Sequence, residues 1–186
     1  LPILAYSYGT IARSSTTLRH MDLSGAENTE LQNEAFAHFY NLRSLVLPQG
    51  LEKINYMAIA NCKSLESITI PASVQEIGMS AFENCYLLES VNFAQGSMLN
   101  TIGVAAFYNC HELQSINIPE GVTEIGKLAF YDCTYLNDVV VPASVQAIGD
   151  NAFALCARMQ QMRVKAVVPP SIASKTFEQV SREMPV

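Results

Sequence analysis

Residues 65–78 read Leu65-Glu66-Ser67-Ile68-Thr69-Ile70-Pro71-Ala72-Ser73-Val74-Gln75-Glu76-Ile77-Gly78, and the same apolar frame returns as Leu113-Gln114-Ser115-Ile116-Asn117-Ile118-Pro119-Glu120-Gly121-Val122-Thr123-Glu124-Ile125-Gly126. Ile68 and Ile70 alternate with Ser67 and Thr69, the period of a strand with one face buried. Pro71, like Pro48, Pro119 and Pro142, follows directly. Its missing N–H and fixed φ end the strand and turn the chain.

Outward from this frame, each unit continues as Ala-Phe-x-x-Cys-x-x-Leu. The opening alanines are Ala35, Ala58, Ala81, Ala106, Ala129 and Ala152, at intervals of 23, 23, 25, 23 and 23 residues. Self-similarity at about 20 to 29 residues is the signature of a solenoid of stacked coils, none of which can bury its apolar faces alone. Seven strands are expected, starting near Leu18, Leu42, Leu65, Leu88, Leu113, Leu136 and Met159. The corner residues Gly78, Gly103, Gly126 and Gly149, with Asn55 in the equivalent place, are expected at positive φ. The i, i+1, i+4, i+7 spacing after the corner predicts a short helix or 3-10 segment on the convex side. Ala94 breaks the proline column beside a two-residue insertion, so Gln95-Gly96-Ser97 is expected as a bulging loop.

The expected fold is therefore an α/β solenoid, with short parallel strands on the concave side and short helical or 3-10 segments on the convex side. A single domain spans 1–186. Residues 1–17 form an N-terminal cap or flank, 18–165 hold about seven repeats of 23–25 residues, and 166–186 close the stack.

Composition narrows the function. Apolar residues make up 49% and charged residues 15%, which fits an apolar tube with a neutral polar surface. The formal charge is -6 and the 11 Lys and Arg are scattered singly, so no basic stripe exists for a phosphate backbone; nucleic acid is not an expected partner. No apolar run approaches the roughly 18 to 20 residues of a membrane span. No export signal precedes Leu1, so the chain reads as a mature or trimmed fragment.

The five cysteines, Cys62, Cys85, Cys110, Cys133 and Cys156, share one column with Phe39. A phenylalanine cannot replace a ligand or nucleophile, so the column reads as a structural ladder in the core rather than a metal or redox series. The preceding column, His38, Asn61, Asn84, Asn109, Asp132 and Leu155, is expected to satisfy local turn backbone. His20, His38 and His111 fall in three columns, and Glu66, Glu76, Glu89 and Glu124 are isolated. No catalytic, cofactor-binding or metal set converges, and an enzyme is not expected.

The candidate binding face is the outward side of the strands, where two columns form. One is Ser44, Ser67, Ser90, Ser115, Asp138 and Gln161; the other is Val46, Thr69, Asn92, Asn117, Val140 and Arg163. Small polar side chains allow a close partner, and they also suit a plain solvated strand. A rim follows from Tyr40, Lys63, Tyr86 and His111, with Tyr135 next to Thr134, either for protein or sugar contact or for packing on the neighbouring coil.

The whole unit, Ala-Phe-x-x-Cys-x-x-Leu-x-x-(Ile/Val)-x-(Ile/Phe)-Pro-x-(Ser/Gly)-Val-x-x-Ile-Gly, closely resembles the BspA-like leucine-rich repeat family over about Leu18 to Lys165. Departures are Ile59 for Phe, Phe39 for Cys, Ala94 for Pro and Gln32 for the corner Gly. The resemblance implies a right-handed leucine-rich-repeat superhelix in a secreted or cell-surface protein of host-associated bacteria, notably Bacteroidetes. It implies adhesion or binding of a host or cell-surface protein, with no catalytic residues. Binding of a carbohydrate such as mucin glycan is the alternative, and a structural spacer without a ligand is a third.

Overall fold

The computed structural model describes residues 17–180. Most of the expected N-terminal flank, and the tail from 181 on, lie outside them. The chain winds through two seven-stranded sheets, and every pairing is parallel between successive coils. The first sheet holds β1 (His20–Asp22), β3 (Ser44–Val46), β5 (Ser67–Ile70), β7 (Ser90–Phe93), β9 (Ser115–Asn117), β11 (Asp138–Val141) and β13 (Gln161–Val164). These are the seven strands the apolar frame predicts. The second sheet consists of β2 (Glu30–Leu31), β4 (Lys53–Ile54), β6 (Glu76–Ile77), β8 (Thr101–Ile102), β10 (Glu124–Ile125), β12 (Ala147–Ile148) and β14 (Ser171–Ile172). At two residues each, they are too short for periodicity to reveal.

The expected helical or 3-10 segment is absent: among the described residues there is no helix, and this side is a run of turns. The backbone gives the reason. In the third coil, Ala81, Glu83 and Cys85 donate their N–H groups three residues back, to Gly78, Ser80 and Phe82. The alternate donors leave the coil: Ser80, Phe82 and Asn84 bond the carbonyls of Val104, Ala106 and Tyr108 at 2.9, 2.8 and 2.8 Å. A helix would keep every N–H within the segment. Here half of them tie the stack together, and positive φ at Ser80 (55°) and Asn84 (59°) prevents helical continuation.

Outside glycine, positive φ thus falls in two columns, Glu34, Met57, Ser80, Ala105, Leu128 and Asn151, and His38, Asn61, Asn84, Asn109, Asp132, Leu155 and Gln179. The corner glycines do not share it, which corrects the expectation from sequence. They are required by contact: a Cβ on Gly103 would lie 2.8 Å from the carbonyl carbon of Gly78, and one on Gly126 would lie 2.6 Å from that of Gly103. Backbones of successive coils approach there too closely for any side chain.

The core lies between the sheets and the turns. Phe82, Phe107, Phe130 and Phe153 are fully buried and stacked nearly parallel, with centroids 5.1, 5.2 and 5.2 Å apart. Phe177 extends the stack 6.0 Å from Phe153. Burying each such side chain contributes roughly 1.5–3 kcal/mol, but only once a neighbouring coil covers it. All five cysteines are free and buried.

Candidate binding face

Inward apolar and outward polar residues alternate along the first sheet, so its outer face carries the two columns read from the sequence. Register pairs Ser44 with Ser67, Ser67 with Ser90, Ser90 with Ser115, and Ser115 with Asp138. The second column is interrupted. Thr69 pairs with Asn92 and Asn117 with Val140, yet Val46 has no register partner in β5 and Asn92 has none in β9.

Ser67, Thr69, Asn92, Ser115 and Asn117 are exposed, as is Val46; Ser44, Ser90, Asp138 and Val140 are partly covered. Charge concentrates at the two ends. His20 Nδ1 lies 2.8 Å from Ser44 Oγ at the first coil. At the other end Arg163 donates to Asp138 Oδ2 at 2.9 Å, and Lys165 pairs with Glu120 at 3.2 Å. Asp138 Oδ1 is buried with no hydrogen-bond partner.

The rim residues come together as one stack. The Lys63 ammonium sits 5.1 Å from the Tyr40 ring centre and 5.5 Å from that of Tyr86. Tyr86 stacks on His111 at 5.1 Å, and His111 Nε2 lies 3.4 Å from Asp132. Tyr135 stands apart, its ring covered by the Arg158 guanidinium at 3.8 Å. Such cation–π contacts are worth about 0.5–1 kcal/mol each when exposed.

The column before the cysteines acts differently from the expectation. Its amides bond each other across coils: Asn84 Nδ2 donates to Asn61 Oδ1 at 3.3 Å and Asn109 Nδ2 to Asn84 Oδ1 at 2.8 Å. Two surface features carried no sequence signal that was used. Tyr108 stacks on Tyr131 at 5.0 Å. Tyr56, Met79 and Val104, each one residue past the corner, form an exposed apolar stripe. Both lie at variable positions that recur in column, one repeat apart. Among the described residues, no three His, Cys, Asp or Glu side chains gather where they could hold a metal ion, and no helix is long and apolar enough to cross a membrane.

The model of the BspA type leucine rich repeat region matches residues 29–160 in six copies. The chain belongs to this family. Among solved structures, the BspA-type chain is similar to a leucine-rich repeat protein from Eubacterium ventriosum, with 22% identity and a TM-score of 0.75 over 88% of this chain and 43% of that one. A leucine rich repeat protein of T. pallidum matches at 28% identity and a TM-score of 0.61, over 75% of this chain and 63% of that one. A leucine rich cell surface protein from Faecalibacterium prausnitzii matches at 24% and 0.55, over 89% and 53%. This chain therefore spans about half the length of these relatives. Among curated proteins none matches.

Proposed function

We propose that this BspA-type domain is an extracellular or cell-surface module that binds a protein ligand of a host or of another cell, as in adhesion, and that it has no enzymatic activity. The observation that carries the reading is the outer face of the first sheet. It runs across seven strands, and Ser67, Thr69, Ser90, Asn92, Ser115 and Asn117 make no side-chain hydrogen bond among the described residues. Short side chains that leave donors and acceptors uncommitted let a second protein approach closely and bond to them. A location outside the cell is supported by the F. prausnitzii relative, which is named a cell surface protein.

The rim favours protein over sugar. Sugars are gripped through the open face of an aromatic ring, whereas Tyr86 lies between Lys63 and His111 and Tyr135 lies under Arg158.

The test is a binding panel of matrix proteins and mucins on the intact chain and on a variant with Ser67, Thr69, Ser90, Asn92 and Ser115 replaced by Glu or Lys. Loss of about tenfold or more in affinity is expected. Unchanged binding of every ligand found would overturn the assignment of this face.

A further inference from the structure

The loop that carries the two-residue insertion borders the candidate face. β5 and β7 pair over four positions, from Ser67↔Ser90 to Ile70↔Phe93, and β9 pairs with β11 over three. Between them, β7 and β9 pair only at Ser90↔Ser115, as β3 and β5 do at Ser44↔Ser67. Ala94, standing where other units have proline, donates its N–H back to Ile70 at 3.0 Å, as Lys165 does to Val141. The loop at 95–97 follows, with Gly96 at φ 77°.

Beside this loop lies a depression of about 440 Å³ whose lining includes Asn92, Phe93, Gly96, Ser97, Asn117 and Pro119. A second depression of about 450 Å³ shares Asn117 and extends over Asp138 and Val140 to Arg163 and Lys165. Together they make a trough across β7, β9, β11 and β13.

We infer that this trough takes an extended, uncharged peptide segment of the partner protein, with one apolar side chain on Phe93 and its main-chain amide between Asn92 and Asn117. The inference rests on the protein-binding reading of the face and places it. Three features select the occupant. Phe93 and Pro119, both half-buried, offer an apolar seat. Asn92 and Asn117 each carry both a donor and an acceptor, the complement of a peptide unit, and neither is bonded to the other. The charges nearby cancel in pairs, Arg163 with Asp138 and Lys165 with Glu120, so no fixed charge is demanded of the ligand. Three strand spacings of about 4.8 Å span about 14 Å, the length of roughly four extended residues.

The test is NMR titration of the ¹⁵N-labelled full chain with the capped tetrapeptide acetyl-Ser-Leu-Ser-Ala-amide, its Leu→Gly analogue and N-acetylglucosamine, each to about 10 mM. The leucine peptide is expected to shift Asn92, Phe93, Gly96, Ser97 and Asn117, and the glycine analogue to bind about tenfold or more weakly. Ala94→Pro with deletion of Gln95 and Gly96 restores the 23-residue spacing and is expected to abolish the shifts; should it not fold, Asn117→Leu reads the same contact. Shifts confined to Ser44, Ser67 and Thr69 would overturn the trough while leaving the protein-binding face standing. No shift with either peptide, or shifts in the trough with the sugar alone, would overturn the inference, and the binding panel above would still decide the wider reading.

Discussion

The thiol of Cys110 donates to the carbonyl oxygen of Phe82 in the preceding coil at 3.3 Å, and that oxygen also accepts the Cys85 N–H at 3.2 Å. The same link joins Cys62 to Phe36, Cys85 to Ile59, Cys133 to Phe107 and Cys156 to Phe130. The column thus needs a side chain small and apolar enough for the core that also donates one weak hydrogen bond. Alanine at 110 keeps the Cys85 bond but loses the sulfur's packing, so Cys110→Ala is expected to cost about 1–2 kcal/mol in urea unfolding.

Alkaline pH should weaken the fold through these thiols. Burial pushes Cys62 and Cys156 up to about 12, and raises Cys85, Cys110 and Cys133 well above the usual thiol value. Above pH 9, the ordinary value, the unfolded chain releases these protons while the folded chain holds them. Stability is then full below pH 9 and falls as pH rises toward the folded values, by up to about 1.4 kcal/mol per pH unit for each thiol. Denaturant titrations at pH 8 and pH 10 should show this slope, and Cys110→Ala should reduce it by one thiol's share.

For the same reason the native thiols should be inert. The thiolate is the reactive form and all five sulfurs are buried. Ellman's reagent is expected to find no reactive thiol in the native protein and all five in denaturant. The slow native labelling rate should match the rate of unfolding; fast labelling of any one cysteine would contradict the ladder.

Glycine at the corner is a matter of clearance. Gly103→Ala would place its Cβ 2.8–2.9 Å from backbone atoms of Gly78, Ile77 and Met79, none of which can move alone. A loss of about 3 kcal/mol is expected. Gly50→Ala, with nothing within 4 Å of the new Cβ, is the control and should stay within about 0.5 kcal/mol.

Leu155 sits at φ 61° in a column otherwise mostly Asn, Asp or His. Leu155→Asn should relieve left-handed strain of about 1 kcal/mol and let the amide reach Asp132 in the coil before it. Melting is expected to rise by about 2–4 °C. A fall would show that the half-buried leucine contributes more by packing than it costs in strain.

The seven-stranded sheet was legible because Ile68 and Ile70 alternate with Ser67 and Thr69, and strict period two admits one reading. The register was legible from the alanine spacing, which also exposed the insertion before Ala106. The turn side was not. Ala81, Phe82, Cys85 and Leu88 have helical spacing, but that pattern records only which side chains face inward. It cannot tell whether the Ser80 and Phe82 N–H groups bond within the coil or to the next one. Gly78 misled in the same way, since glycine serves tight contact as well as positive φ and the sequence does not separate the two. The outward columns were placed correctly by period. The depression between Asn92 and Asn117 was not legible, because it depends on the path of the 95–97 loop.

Every Cys-to-Phe link spans one coil and no more, and at four of the five positions it repeats the same pair of residue types. A duplicated or deleted coil would therefore meet its new neighbour with the same latch, the same aromatic stack and the same corner clearance. Length in such a chain can change by unequal recombination without a compensating mutation in the interior. The trough has no such freedom: it depends on one irregular coil beside three regular ones, so a gain or loss of units between Ser90 and Val164 would erase it while leaving the fold intact.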